Sequence, residues 1–518
     1  MKHTLRDSAA VRWLVLVLVS SLMFSTYWFY DFFGGLKGLM NSELGISSEE
    51  FGRIIASTTF ANVFGMIILG GIILDKWGIR ISGLVFGGLA FAGASLSALA
   101  VMGVLGDDKS TMLVWSMTGR VLFGIGMEVV CVIVTRAVVK WFMGYELALA
   151  MAVNIGFGRL GTALGISISP DIAAGSVAPA VSFAAILIGI SILFFIIYLF
   201  FDIRLDRQRA GASPETESIA AEEEFHLSDF LKLVTDRSFI FITLLCVAFY
   251  SAVFPLLQYT PDLLVNKFGF SYELAAGGEF ALMGSVTMGT VFIYVMLFLF
   301  GLGFSMVPPS FKRVWSRMLS FALILLVFGF FIYSLKDVFQ VWFRNGPKTA
   351  SLIPMGTILF TPVFGSLVDK RGKSASLMIL GSLLLIFANL SLSVFNNVWL
   401  GYMGLFSLGI AFSLVPAAMW PAVARIVAES RLGTAYATMF TVQNWGLFTF
   451  FWGIGALLDY VNKDNLVEIN AGNMSYDYTI PVLMLVLIGI VSIFLAYQLK
   501  IADKRQGYGL ENPHQKPA

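Results

Sequence analysis

The sequence predicts an all-α membrane protein: two six-helix bundles with an added two-helix hairpin, fourteen spans in all. Three observations carry this. The 518-residue chain is 58% hydrophobic and 13% charged, with a mean hydropathy of +0.84, whereas soluble domains carry roughly a quarter charged residues. Its apolar runs repeatedly reach the length of about 20 residues that a bilayer-crossing helix needs. One charged turn also occurs twice, as GIILDKWGIR (Gly71, Asp75, Lys76, Gly78, Arg80) and as GSLVDKRGK (Gly365, Asp369, Lys370, Gly372, Lys373). A turn repeated between hydrophobic spans in both halves marks a duplicated bundle, an architecture that carries solutes at the interface of its repeats.

Along the chain, the first run, 12–33, is a full span without a small-residue cleavage site and is read as a retained helix. Runs at 51–74 and 81–104 flank the first charged turn, and 112–135, 147–169 and 178–201 complete an N-terminal bundle, residues 1–202. Residues 203–237 are polar, from Arg204, Arg207 and Arg209 to Glu222, Glu223 and Glu224. They read as a flexible linker. The C-terminal bundle, 238–518, has spans at 238–263, 350–368, 374–394, 398–424, 433–458 and 480–499. Within it lie two charge-free runs, 286–306 and 318–335, joined by a tip bearing Lys312, Arg313 and Arg317. This predicts a peripheral hairpin over about 286–335, outside any transport path. All the spans are helical, because backbone groups in lipid must be bonded within their own segment.

Lys and Arg concentrate in the tails, both charged turns, the linker and the hairpin tip; the opposite side holds only Lys37, Lys109, Lys267, Lys336, Arg344, Lys348 and Lys463. The positive-inside rule places both termini in the cytoplasm, with the plasma (inner) membrane as the expected location if the chain is bacterial. The basic residues are spread over short loops, which gives no nucleic-acid surface. His3, His226 and His514 lie in the tails and linker, Cys131 and Cys246 on separate spans, and no Walker-type glycine loop occurs. Enzymatic, metal, cofactor and ATP-driven chemistry are therefore not expected. The expected partners are a small-molecule substrate and the bilayer; the sequence is silent on accessory membrane proteins.

A charge at the middle of a membrane helix costs about 2.5–3.5 kcal/mol on insertion scales, so each one needs a reason. Arg53 lies close enough to a span end to snorkel. At a 1.5 Å rise per residue, Glu128 lies about 12 Å and Arg120 about 24 Å above Arg136, and Arg159 about 18 Å above Leu147. The three share a slab near the midplane. Either Glu128 pairs with one arginine to lock the fourth and fifth spans, or Glu128 and Arg159 hold opposite ends of a ligand. For Arg120, packing competes with coupling. Tyr30 and Asp31 close the first span, Trp420 precedes Pro421, and Gln443 and Asn444 supply an uncharged polar wall. Asp75 and Asp369 are expected to latch the halves during gating, and Glu128 or Asp31 to carry any proton coupling.

The repeated turn resembles the loop between helices 2 and 3 of major facilitator transporters and its echo between helices 8 and 9. Further motifs are similar to the lysosomal dipeptide transporter branch of that family. They are Gly119-Arg120 to Glu128, Lys140-Trp141-Phe142 with Glu146-Leu147, Arg159-Leu160-Gly161, Tyr30-Asp31, Trp420-Pro421, Leu432 to Tyr436, and Gln443-Asn444. The resemblance implies a uniporter moving dipeptides by alternating access, with Glu128 and Arg159 gripping the two ends. The chain departs from the branch at Ser57-Thr58-Thr59-Phe60 and in the hairpin. An organic-anion or sugar facilitator, a proton-coupled symporter and a non-transporting receptor or scaffold remain alternatives.

Overall fold

The computed structural model describes residues 4–210, 233, 235–428 and 431–513. Its regular elements are helices. The first set comprises α1 (Ala9–Asp31), α2 (Lys37–Leu44), α3 (Ser48–Ser57), α4 (Phe60–Val63), α5 (Met66–Val101), α6 (Lys109–Phe142), α7 (Leu147–Ala173) and α8 (Val177–Ala210). The second begins with α9 (Arg237–Phe268), α10 (Val286–Ser310), α11 (Val314–Ser334), α12 (Lys336–Trp342) and α13 (Gly346–Arg371). It ends with α14 (Ser374–Ser393), α15 (Val398–Ile426), α16 (Leu432–Val461), α17 (Leu466–Asn470) and α18 (Thr479–Gln506).

Twelve helices among the described residues are long and apolar enough to cross a membrane, against the fourteen spans expected. One difference lies in α5, within which Gly78 stands at φ 71°, outside helical space. Before Gly78 the chain runs with α6, Thr58 lying on Gly124 and Gly70 on Val129; after it the chain runs against α6, Ala90 lying on Gly126 and Gly93 on Gly119. The chain therefore reverses at Gly78, where glycine tolerates the positive φ. The other difference is α16, whose apolar character is diluted by Gln443, Asn444 and Asp459.

The expected continuous helix over 51–74 is corrected: it is interrupted between α3 and α4 and again at Gly65. Ser57 Oγ donates to the Arg53 carbonyl (2.7 Å) and Thr59 Oγ1 to the Ala56 carbonyl (2.9 Å), a competition that weakens the helical ladder. Gly65 takes the left-handed conformation, φ 80°. The Thr58 backbone packs against Gly124 so tightly that a Cβ there would stand 1.8 Å from the Thr58 carbonyl oxygen. A small residue permits this approach.

The linker also begins later than expected, because α8 stays helical to Ala210; its remainder, 211–232, lies outside the described residues. Asp202 explains the extension. It is buried and accepts from Arg80 Nε (2.7 Å), Lys140 Nζ (3.0 Å) and Tyr198 Oη (3.0 Å), while Arg80 and Lys140 also reach Asp206 one turn on.

The hairpin is corrected in part. α11 has no buried residue. α10, in contrast, is wedged between the two sets: Phe298 packs on Gly156 and Phe157 of α7, Gly301 on Ile358 of α13, and Tyr294 stacks on Trp342 with centroids 5.6 Å apart.

Among the described residues, two ion pairs between the sets lie at the end far from the chain termini. Lys37 pairs with Asp262 (2.6 Å) and Lys348 with Asp171 (2.6 Å). Asp459 of α16 accepts from the Ser48 and Glu49 amides (3.1 and 2.7 Å), capping the first turn of α3 from the other set. The far end is closed.

Candidate functional site

α1, α6 and α7 bring the intramembrane charges together, and glycine sets their spacing. Gly161 and Gly165 of α7 lie against the Phe24 and Trp28 carbonyls of α1, while Gly119 and Gly126 of α6 lie against Gly93 and Phe86 of α5. Backbones that close leave side chains on the free faces to meet.

Arg120 is fully buried. Its guanidinium donates to the Phe29 (2.8 Å) and Tyr30 (3.2 Å) carbonyls and sits 4.9 Å from the Phe33 ring centroid. These carbonyls belong to the last turn of α1, where the helical partners run out and the negative end of the dipole lies. Arg120 caps α1.

Asp31 is also buried, and both its oxygens are taken. Thr162 Oγ1 donates to Oδ2 (2.6 Å) and Gln258 Nε2 to Oδ1 (2.7 Å). Gln258 belongs to α9, so Asp31 ties the two sets together. Tyr30 points the same way, its ring edge-on to Phe451 at 6.4 Å.

Glu128 and Arg159 differ from these. Each is half-buried, and among the described residues neither has a hydrogen bond or an ion pair. The expected alternative of a Glu128–arginine salt bridge is not formed. Tyr27 is within electrostatic reach of Glu128, Arg159 and Asp31, and its hydroxyl bonds the Cys131 thiol. The Arg159 guanidinium lies 4.4 Å over the Phe412 ring of α15. Phe412 meets Phe254 (5.3 Å), Phe254 stacks on Tyr250 (5.5 Å), and Tyr250 accepts from Trp420 Nε1 (3.1 Å). Trp420 stacks in turn on Phe440 at 4.9 Å. Arg159 of the first set thus faces an aromatic wall on the other.

The remaining polar wall is less available than its sequence suggests. Gln443 is buried and accepts from the Cys246 thiol (3.2 Å), and Asn444 donates back to the Phe440 carbonyl (2.9 Å), leaving its own side-chain carbonyl unpartnered.

The charged turns lie apart, at the terminal end. Asp75 pairs with Arg136 (2.6 Å) and Arg80 with Asp202, contacts within the first set. Gly71 has open space around it, and Lys76 and Lys370 are exposed. Asp369 has no hydrogen bond or ion pair among the described residues. Among the described residues, neither Asp75 nor Asp369 itself has a hydrogen bond or ion pair to the opposite set, as the expected latch between the halves would require. Arg425 instead donates to the tail carbonyls of Gly509 (2.5 Å), Asn512 (3.0 Å) and Pro513 (2.9 Å).

Sequence reasoning missed Gln258, Asp262, Lys37, Lys348 and Asp171. Gln258 and Asp262 are polar residues at the end of the 238–263 span and carried a readable signal. Lys37 and Lys348 read from the sequence only as residues of the side opposite the cytoplasm, and the fold shows them buried.

An all-helical duplicated bundle with a polar pair between its sets defines a class, and the comparisons agree. The Major Facilitator Superfamily profile matches residues 18–345 and 349–514, and the chain belongs to that family of membrane transporters. It is 25% identical to the lysosomal dipeptide transporter MFSD1 of Danio rerio over 464 residues, 86% of this chain and 81% of that protein. To the Homo sapiens protein of the same name it is 25% identical over 456 residues, 87% and 80%. Solved structures share the fold at low identity. The D-xylose-proton symporter aligns with a TM-score of 0.59 at 14% identity, covering 95% of this chain and 97% of that one. A bacterial homolog of the human lysosomal transporter Spinster aligns at 0.59 and 12%, covering 99% and 100%.

Proposed function

We propose that the protein is a secondary transporter that moves a dipeptide or similar small zwitterion by alternating access, as a uniporter. The observation that carries this is the pair Glu128 and Arg159: opposite charges on α6 and α7, half-buried and, among the described residues, without a hydrogen bond or ion pair. A charge left unpaired inside a membrane protein is costly, and a ligand that pairs with it recovers that cost. A substrate ammonium would meet Glu128, and its carboxylate the planar fork of Arg159. Phe412, Phe254, Tyr250 and Trp420 would receive apolar side chains. Resemblance to the named dipeptide transporters supports the substrate class.

In this reading the N-terminal bundle (1–202) and the C-terminal bundle (238–518) rock about the site. The Asp31–Gln258, Lys37–Asp262 and Lys348–Asp171 contacts close the far end, and the termini face the cytoplasm. Asp31, held on both oxygens, acts as a gate residue. The test is uptake into proteoliposomes. A labelled dipeptide should equilibrate, and an imposed pH gradient should not drive it above equilibrium. Uptake of sugars or organic anions in preference to dipeptides would overturn the substrate assignment.

A further inference from the structure

A cleft of ≈ 680 Å³ opens on the outer surface of the second set, between α13, α15 and the segment that returns from the hairpin. It lies away from the Glu128–Arg159 pair. Its walls are apolar: Leu352, Gly356 and Phe360 on α13, and Leu405, Phe406 and Gly409 on α15. Gly356 and Gly409 keep it open, since a Cβ at either would meet nothing closer than 3.9 Å. Trp399 (76% exposed) and Phe406 (61%) show that it faces the surroundings rather than another helix, and on a membrane-spanning bundle those surroundings are lipid.

The rim is polar. Gln340, Arg344 and Tyr402 line it, and the Tyr402 hydroxyl donates to the Phe343 carbonyl, fixing the returning segment over the mouth. Arg344 is exposed and has no acidic partner among the described residues. Trp399 and Tyr402 next to it are the residue types that sit at a membrane interface. From Thr349 to Phe360, and from Trp399 to Gly409, the walls descend about 15 Å. That is the depth of one leaflet of a hydrocarbon core about 30 Å thick. The volume falls within the range of about 300–1,000 Å³ typical of ligand pockets.

We propose that this cleft binds an anionic glycerophospholipid, one acyl chain lying between α13 and α15 and the phosphate against Arg344. The cationic rim, the interface aromatics and a depth of one leaflet together specify an amphiphile with a negative head. The inserted hairpin then has a role, because its returning segment supplies Gln340 and Arg344.

The test uses the delipidated full-length protein and native mass spectrometry with phosphatidylglycerol and phosphatidylcholine of identical chains. Wild type should retain phosphatidylglycerol about fivefold better, the worth of one basic residue near an anionic head. Arg344→Ala should abolish that preference, and Lys336→Ala, an exposed base on the same side, should leave it intact. Gly356→Leu, which fills the cleft, should lower retention of both lipids. Equal retention by wild type, or a preference that survives Arg344→Ala, would overturn the proposal. A phosphatidylglycerol photoreactive at mid-chain provides a second readout without substitution. Its crosslinks should fall at 352–360 and 405–409, and an even spread over the lipid-facing surface would show an ordinary annular lipid and defeat the assignment. Glycerol phosphate alone should not compete; if it does, the site is for a free phosphate.

Discussion

Arg120 and Arg159 stand on adjacent helices near the same depth, yet their surroundings divide their roles. Arg120 satisfies two carbonyls at the end of α1, whereas Arg159 has an aromatic ring against it and, among the described residues, no hydrogen-bond acceptor. Removing Arg120 orphans both carbonyls at about 1–3 kcal/mol each. Arg120→Met should therefore lower the melting temperature of the purified protein clearly. Glu128 has no hydrogen bond or ion pair to lose among the described residues, and neutralising an unpaired intramembrane charge relieves its cost, so Glu128→Gln should leave the melting temperature unchanged or raise it. A melt that ranks the two the other way would reverse the roles. The intramembrane charges were legible in the sequence, because hydropathy makes any ionisable residue within a span conspicuous. Which of them were already satisfied was not, since the acceptors of Arg120 are backbone groups 90 and 91 positions away.

At the scale of elements, the far-end contacts are buried ion pairs between separate helices. The Lys37 and Asp262 side chains are 3% and 4% exposed, and Tyr272 Oη adds a bond to Asp262 (2.5 Å). Breaking such a pair from one side is costed at about 3–5 kcal/mol, because a buried charge is left behind. Lys37→Met and Asp262→Asn should each shift the protein toward a state open at the far end, and the double variant should shift it less than their sum. Spin labels at Ser42 and Asp464, in a background lacking Cys131 and Cys246, would report this as growth of a longer-distance population. The hairpin yields a second contrast. Phe298→Ala on α10 should cost about 3 kcal/mol, as for a packed aromatic, and Phe330→Ala on the exposed α11 should cost little. Thermal melts of the two variants check this; equal costs would mean that α10 is not wedged as described. The hairpin itself was legible from two charge-free runs around a basic tip. The seating of α10 was not, since both arms are equally apolar and only tertiary packing distinguishes them.

For the whole molecule, the duplicated charged turn and the hydropathy pattern made the architecture readable, because lipid leaves helices as the way to satisfy a backbone across it. The break near Thr58 and the late end of α8 were hidden; each depends on a distant neighbour, Gly124 for one and Arg80 with Lys140 for the other. The orientation makes its own prediction: a cysteine at Ser310, in the basic hairpin tip, should react with impermeant reagents from the cytoplasmic side only. Labelling from outside would invert the topology. The central claim is that Glu128 and Arg159 hold the two ends of a zwitterion, and the most direct measurement blocks those ends one at a time. Competition should be measured with a free dipeptide, its N-acetylated form and its C-amidated form, against wild type, Glu128→Gln and Arg159→Gln. Wild type should prefer the free dipeptide over both blocked forms. Glu128→Gln should lose discrimination against N-acetylation alone, and Arg159→Gln should remain folded yet lose carboxylate-bearing ligands. If blocked and free dipeptides compete equally well with the wild-type protein, the pair does not read a zwitterion and the account is contradicted.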